Sequence, residues 1–410
     1  MSSTAAAAFP SLHSDYVNDV RFDFYGRRVA TASNDRTVKV WEVNPDTSEW
    51  TIRAGCEWQA HRSGVRAVSW AHPEYGQVLA TAGGRERAVT VWEESGGGST
   101  MGPTMDSDGG FGRAENPNPT AAGSRWTARA YLADARKDVT CMEFAPRGLG
   151  LRIAVGSADG FFRVYEAIDV QNLGHWSMVG QVDCTQDDVV NSLTVQDGGQ
   201  GGQQGAGGLE EGEPPVQQQQ QGSSAAQVSE LGIRSLSWCN GRFEPPTMVV
   251  GGSSGFVGIY RYSDASRQWF LMLRLLDHGR GGCLDVAWAP NVGRGYHLIA
   301  SSGKDNILRL HRLRRERKKP SSSHVAARDN SAPSHIDSSA SADLSTLEHE
   351  SSVVLESNSG SSNLGIWRCE WNVTGTCLAT SGDGGVVKLW KSGFHNCWKC
   401  VEEVHGNLNN

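Results

Sequence analysis

Cys397 and Cys400 have the spacing of a zinc-binding pair, and two histidines, His395 and His405, lie beside them in the sequence. A structural zinc ion needs four ligands that converge on one point. The residues around this pair predict a β-strand, and positions i and i+3 of a strand point to opposite faces of the sheet. We therefore expect no metal site and no cofactor here.

Other catalytic patterns are not found in the sequence. No glycine-rich phosphate loop follows a strand and precedes a helix, and no GxSxG nucleophile elbow occurs. The acidic pairs Glu210–Glu211 and Glu402–Glu403 are typical of a solvated surface rather than of paired catalytic carboxylates. We expect no catalytic residues and a protein that is not an enzyme.

The composition narrows the class of protein. The 410 residues include 38 Lys and Arg against 45 Asp and Glu, a net charge of −7, which argues against a general nucleic-acid binder. No apolar run reaches the roughly 18 residues of a membrane span, and residues 1–9 lack the pattern of a secretory signal. The nine cysteines are scattered, so we expect a cytosolic or nuclear protein with reduced thiols.

A repeated pattern of three strands organises the chain. The first copy, residues 17–43, has runs of period two separated by turns at Tyr25–Gly26 and Asn34–Asp35. The pattern returns five times, at residues 65–93, 139–166, 233–261, 284–312 and 366–391. Such regular repetition is the signature of a repeat architecture.

Each copy closes on a residue at one fixed position: Trp41, Trp92, Tyr165, Tyr260, His311 and Trp390. Six residues before each lie Asp35, Glu86, Asp159, Ser254, Asp305 and Gly384. A WD repeat has an Asp there, with a hydroxyl four residues earlier; Thr31, Ser301 and Thr380 fit, whereas Ala82, Val155 and Val250 do not. We interpret these residues as structural repeat positions, and expect the full signature in the first and fifth copies alone.

A fourth strand follows each copy, which predicts an all-β, six-bladed WD-repeat β-propeller. These strands are expected at residues 50–58, 125–133, 176–184, 268–276, 352–356 and 397–404, and the blades near 13–58, 61–133, 139–184, 231–276, 283–357 and 364–405. Because the last copy has its own fourth strand and residues 4–12 are weakly strand-like, we expect an open ring without an internal clasp. Another chain would then add strands at the seam.

Three inserts, 95–124, 185–230 and 314–350, have the Gly-, Ser- and Gln-rich composition of disordered loops. Surface loops lengthen at little thermodynamic cost, so the inserts do not break the repeat. The basic run from Arg314 to Lys319 is either a nuclear import signal or a solvated loop.

Particular strings carry a resemblance to one family. RFDFYGRRVATASNDRTVKVWEV, WAHPEYGQVLATA, FAPRGLGLRIAVGSADGFFRVYEA, AWAPNVGRGYHLIA and WRCEWNVTGTCLATSGDGGVVKLW resemble the Seh-type WD-repeat nucleoporins of the Sec/Seh family. The resemblance covers blades one, two, three, five and six, and departs at blade four, at the inserts and at Gly384. It implies an open propeller in the Y-shaped outer-ring complex of the nuclear pore. It implies that an α-helical scaffold nucleoporin inserts a blade into the opening, with other outer-ring subunits as further partners.

The resemblance leaves a vacuolar or lysosomal coat-like nutrient-signalling complex open as a second setting. A Sec-type vesicle-coat propeller, a closed WD-repeat adaptor and a propeller hydrolase are the remaining alternatives. We expect no direct contact with nucleic acid or membrane. The residues expected at the seam near the partner are Asp15, Val17, Val20, Phe22 and Trp390.

Overall fold

The computed structural model of the chain describes residues 10–94, 104–105, 111–112, 125–185, 232–241, 245–315, 347–357, 365–393 and 397–405. These residues form six four-stranded antiparallel sheets, each a blade of a β-propeller. No helix among them is long and apolar enough to cross a membrane.

The strands follow one another from the inside of each blade to the outside. Blade one consists of β1 (Val17–Phe22), β2 (Arg28–Ser33), β3 (Thr37–Val43) and β4 (Trp50–Gln59), and blade two of β5 (Val65–Trp70), β6 (Val78–Gly83), β7 (Val89–Glu94) and β10 (Trp126–Leu132). A short two-stranded ladder, β8 (Thr104–Met105) with β9 (Phe111–Gly112), comes between β7 and β10 along the chain. Blade three consists of β11 (Val139–Phe144), β12 (Arg152–Ser157), β13 (Phe161–Ala167) and β14 (Trp176–Asp183).

The remaining blades repeat this order. Blade four consists of β15 (Ile233–Trp238), β16 (Thr247–Gly252), β17 (Val257–Ser263) and β18 (Gln268–Arg274). Blade five consists of β19 (Cys283–Trp288), β20 (His297–Gly303), β21 (Ile307–Arg315) and β22 (Leu347–Ser357), and blade six of β23 (Ile366–Trp371), β24 (Cys377–Gly382), β25 (Val386–Ser392) and β26 (Trp398–His405).

The core lies between neighbouring blades. In β6 all six residues are buried, because a blade on each side covers both faces of the strand. Five apolar clusters result, one for each junction from blades one and two to blades five and six. At each of these junctions the inner strand of one blade packs against the inner strand of the next.

The WD signature is complete in blades one, two and five. In blade one His13 bonds Asp35 at 2.9 Å and Thr31 at 2.8 Å, and the Trp41 indole N–H donates to the Thr31 hydroxyl at 3.1 Å. In blade five His278 joins Asp305 to Ser301, and His311 replaces the tryptophan, 3.0 Å from the Ser301 hydroxyl.

Blade two corrects the expectation that its signature is incomplete. His61 bonds Glu86 and Thr81, each at 2.7 Å, and the Trp92 indole donates to Thr81 at 2.8 Å. The hydroxyl is Thr81 rather than position 82, because the turn before the acidic residue is one residue longer. The longer glutamate side chain occupies the place of the usual aspartate.

The other blades use different contacts. In blade three the buried Asp159 pairs with Arg163 at 2.9 Å, and the Tyr165 hydroxyl donates to Asp134. In blade four Tyr260 is buried with its ring centroid 5.1 Å from that of Phe162.

Blade five departs from the predicted boundaries. Its outer strand begins at Leu347, not at residue 352, and β21 continues to Arg315. Arg314 pairs with Glu350 at 3.0 Å, so the start of the basic run is strand rather than loop. The described part of insert 314–350 is therefore ordered, and its remainder lies outside the described residues. The same is true of insert 185–230 beyond residue 185 and of most of insert 95–124. Residues 4–9 also lie outside them, and residues 10–12 form no strand.

Candidate partner-binding seam

The sixth junction, between blades six and one, differs from the other five; we call it the seam. Blade six takes its four strands from the C-terminal repeat itself, so no described strand of the N-terminal region joins it. Among the described residues, β23 and β1 lack the extensive packing that joins every other pair of successive inner strands.

The apolar side chains on the inner strand of blade one, β1, are unusually exposed at the seam. Val17, Val20 and Phe22 are 37%, 45% and 59% exposed. The residues equivalent to Val20 by strand register are each at most 6% exposed, because the preceding blade covers them: Val68, Met142, Leu236, Val286 and Cys369. At Val20 no blade in the described part of the chain provides that cover.

The facing wall of blade six shows the same loss of burial. Val387 is 39% exposed, and Leu389 beside it on β25 is half-buried. The residues equivalent to Val387 in the other blades are fully buried against the next blade: Val38, Val89, Phe162, Val257 and Leu308. The two walls of the seam are thus built like blade interfaces, but the described residues place no blade between them.

Hydrogen bonds also join neighbouring blades at each of the five closed junctions. At each, an inner-strand side chain of one blade accepts a backbone N–H from the inner strand of the next blade. The acceptors and donors are Asp19 with Val68 (3.1 Å), Ser69 with Phe144 (3.1 Å), Glu143 with Trp238 (3.0 Å), Ser235 with Val286 (3.2 Å), Ser237 with Trp288 (3.2 Å) and Asp285 with Cys369 (2.9 Å). These bonds satisfy backbone donors that an inner edge strand would otherwise leave unpaired.

The seam replaces these bonds with contacts between long charged side chains. Arg368 of blade six donates to the Asn18 carbonyl at 3.3 Å and lies 3.5 Å from Asp19. Arg21 lies 3.6 Å from Glu370, whose carboxylate is exposed. Arg368 is about half exposed and the Arg21–Glu370 pair is open to solvent. Ion pairs with solvent-exposed members contribute little to stability, so these contacts hold the two walls weakly.

The predicted seam residues fall into two groups. Val17, Val20 and Phe22 lie on the blade-one wall, and Asp15 lies exposed just before it, bonded to Asn34. Trp390 does not line the seam: it is buried against blade five, and its indole N–H donates to Thr380 at 3.0 Å. The reason is register, since the closing aromatics of blades two, three and four, Trp92, Tyr165 and Tyr260, likewise pack against the preceding blade.

Sequence reasoning missed Val387, Leu389, Glu370, Arg21 and Arg368. An alignment of the six repeats to one another could have found them. Positions that face a neighbouring blade in five copies face the seam in the first or the last copy.

The central channel, about 510 Å³, has polar walls. Burial raises the pKa of Glu143 to about 7, and Asp19 raises the pKa of Arg21. The channel carboxylates Asp19, Glu143 and Asp285 each accept a backbone N–H from the next blade. No group of His, Cys, Asp and Glu in the described ranges is arranged to hold a metal ion.

Comparisons with known proteins agree with this architecture. Residues 9–42 and 351–391, which include parts of both seam walls, match the family described as WD domain, G-beta repeat. The chain is 32% identical to nucleoporin SEH1 of Danio rerio over 404 residues, covering 96% of this chain and 86% of that protein. It is 32% identical to nucleoporin SEH1-B of Xenopus laevis (97% and 87% covered) and 31% identical to human nucleoporin SEH1 (96% and 87% covered).

The chain belongs to the nucleoporin SEH1 family. The similarity to nucleoporin SEH1 spans nearly the whole chain, so it is not confined to the WD signature positions. This protein is therefore a WD-repeat propeller of the nucleoporin SEH1 family, as the resemblance of its repeat strings predicts.

Proposed function

We propose that the protein is a non-enzymatic scaffold subunit of the outer-ring, Y-shaped complex of the nuclear pore. In this proposal an α-helical scaffold nucleoporin inserts a blade between blades six and one, and the assembly supports transport of protein and mRNA between nucleus and cytoplasm. The observation that carries the proposal is the exposure of Val20 and Val387, at positions buried in every other blade.

The chemistry of the seam suits an inserted sheet. Apolar walls on both sides favour burial of apolar partner residues, at roughly 25 cal/mol per Å² removed from water. A blade with two covered faces buries well over roughly 1,000 Å², as in a lasting complex. Strand addition also satisfies the free backbone groups of an edge strand.

The nuclear pore location rests on family membership, since the relatives are named nucleoporins. In this setting the protein reaches the nuclear envelope through its partners. A non-enzymatic role is supported by the channel carboxylates, which are engaged in joining blades.

The test is affinity purification of the full chain from its native cells, with mass spectrometry of the eluate. Val387→Asp places a charge on the seam wall, and Ile168→Asp is the matched control, because Ile168 is an exposed apolar residue of blade three. We expect helical nucleoporins with the wild type and the control, and their loss with Val387→Asp.

Vesicle-coat proteins or a cullin adaptor as the main wild-type partners would overturn the proposal. A helical nucleoporin retained equally by both variants would show that the seam is not the binding site. Vacuolar or lysosomal coat-like components would support the alternative setting over the nuclear pore.

A further inference from the structure

The closed junctions obey a rule that describes what an inserted blade must contain. We number the six residues of each inner strand from one to six, so that β1 runs from Val17 (position one) to Phe22 (position six). Every described inner-strand side chain that accepts a backbone N–H from the inner strand of the next blade lies at position three or five, and the donor lies at position four or six.

A second contact recurs at position six. The indole N–H of Trp70 donates to the Arg21 carbonyl at 3.0 Å, that of Trp238 to the Glu143 carbonyl at 3.1 Å, and that of Trp371 to the Ala287 carbonyl at 3.1 Å. In each case the accepting carbonyl belongs to position five of the preceding blade. Trp288 is the exception: it lies at position six of blade five, and its buried indole N–H has no hydrogen-bond partner among the described residues. Three of the four position-six tryptophans therefore bond the preceding inner strand through the side chain, and position six of blade three is Phe144.

Blade six provides the acceptor side of such a junction, through positions three and five of its inner strand β23. Its position three is Arg368, a cation that cannot accept a hydrogen bond. Its position five is Glu370, the equivalent of Glu143, whose carboxylate takes the Trp238 N–H at 3.0 Å. In the described part of the chain the Glu370 carboxylate has Arg21 as its charged partner and accepts no backbone N–H.

Blade one provides the donor side, through its inner strand β1. The Val20 N–H donates to Asp19 of its own strand at 3.1 Å, as the Val286 N–H does to Asp285 at 3.0 Å. The Val286 N–H is shared with Ser235 of the preceding blade at 3.2 Å. A second acceptor for Val20, of the kind that Ser235 provides for Val286, would come from whatever fills the seam.

Resting on the proposed function, we propose that the inserted inner strand has a defined chemistry: a tryptophan at position six and a serine, aspartate or glutamate at position three or five. The backbone N–H of the tryptophan donates to the Glu370 carboxylate, and its indole N–H donates to the Glu370 carbonyl. The hydroxyl or carboxylate accepts the N–H of Val20 or Phe22. This strand pattern, rather than apolar burial alone, selects the partner.

Photo-cross-linking of the full chain in its native cells tests the pattern. The probe is benzoylphenylalanine incorporated at Val387, which lies on the seam wall but takes no part in the hydrogen bonds. Mass spectrometry then identifies the cross-linked polypeptide and the sheet to which it belongs. We expect a sheet whose inner strand carries the tryptophan and the acceptor at the stated positions.

The outcomes separate this inference from the function on which it rests. A nucleoporin sheet without a hydroxyl or carboxylate at position three or five would overturn the strand pattern and leave the proposed function intact. A cross-link to a protein of another class, or none to any inserted sheet, would overturn both.

Variants of Glu370 test the acceptor itself. Loss of a hydrogen bond to a charged acceptor corresponds to roughly tenfold faster dissociation, so we expect this from Glu370→Ala in the purified complex. Glu370→Gln keeps an acceptor oxygen and should restore most of the lifetime. Asp264→Ala, at an exposed carboxylate of blade four, is the control and should have no effect.

Equal losses from Glu370→Ala and Glu370→Gln would contradict the acceptor role. They would indicate that the ion pair with Arg21, which both substitutions remove, is the contact that matters. No loss from Glu370→Ala would overturn the role entirely.

Discussion

Val38 and Val387 occupy the same position on the third strand of their blades, yet Val38 is fully buried and Val387 is 39% exposed. Blade two covers Val38, and no part of the described chain covers Val387 in the same way. Among the described residues, the seam is therefore a blade interface with no blade in it, and the difference in exposure between these two valines measures the missing cover.

The two valines give the first prediction. Val38→Asp buries a charge without a partner and should lower the free energy of unfolding by about 3 kcal/mol or more. Val387→Asp should lower it by about 1 kcal/mol or less, because the new carboxylate reaches water. Urea denaturation of the two variants measures the contrast, and equal destabilisation would show that the seam is closed in solution.

The blade-two hydrogen-bond network gives the second prediction. Thr81→Val removes the hydroxyl that bonds both His61 and Trp92, leaving buried polar groups unpaired. We expect a loss of about 1–3 kcal/mol in the free energy of unfolding. The control is Thr90→Val in the same blade, because the buried Thr90 hydroxyl has no hydrogen-bond partner among the residues that the structure describes; this variant should be neutral or stabilising. A larger effect at Thr90 than at Thr81 would refute this assignment.

His311 makes stability depend on pH. Burial, with smaller contributions from His349, His278 and Arg309, lowers the pKa of His311 to about 3 from an ordinary value of 6.5. Between these values the unfolded chain binds a proton that the folded chain does not. Stability due to this residue is therefore full above pH 6.5 and falls as the pH drops towards 3, by about 1.4 kcal/mol per pH unit for one proton.

His311→Trp, which introduces the residue found at this position in blades one, two and six, should flatten that slope. Urea denaturation between pH 6.5 and 4 compares the variant with the wild type. The measured quantity is the slope, so a constant change in stability from altered packing does not affect the result. An unchanged slope would show that another group is responsible for the acid sensitivity.

The cysteines give a fourth prediction. Cys397 and Cys400 are exposed, whereas Cys56, Cys283 and Cys369 are buried, and burial raises the pKa of Cys141 to about 12. Because thiolates are the reactive form, iodoacetamide should modify Cys397 and Cys400 of the native protein first. Because we expect no metal at this pair, the chelator EDTA should leave the Tm unchanged. A fall in Tm with EDTA would indicate that Cys397 and Cys400 do bind a structural metal ion.

The repeat made the blades predictable, since period-two runs and turn residues recur at equivalent places. The outer strand of blade five was harder, because the pairing of Arg314 with Glu348 extends the ladder through charged residues that resemble a loop. The seam was only partly predictable. In sequence Val20 resembles Val68, and only the arrangement of the blades exposes one and buries the other.

The structure of the complex purified from native cells tests the central claim most directly. Cryo-electron microscopy should show four strands of a second polypeptide between β1 and β23, covering Val20 and Val387. A ring sealed by the protein's own residues, or a partner bound elsewhere with both valines still exposed, would contradict the account.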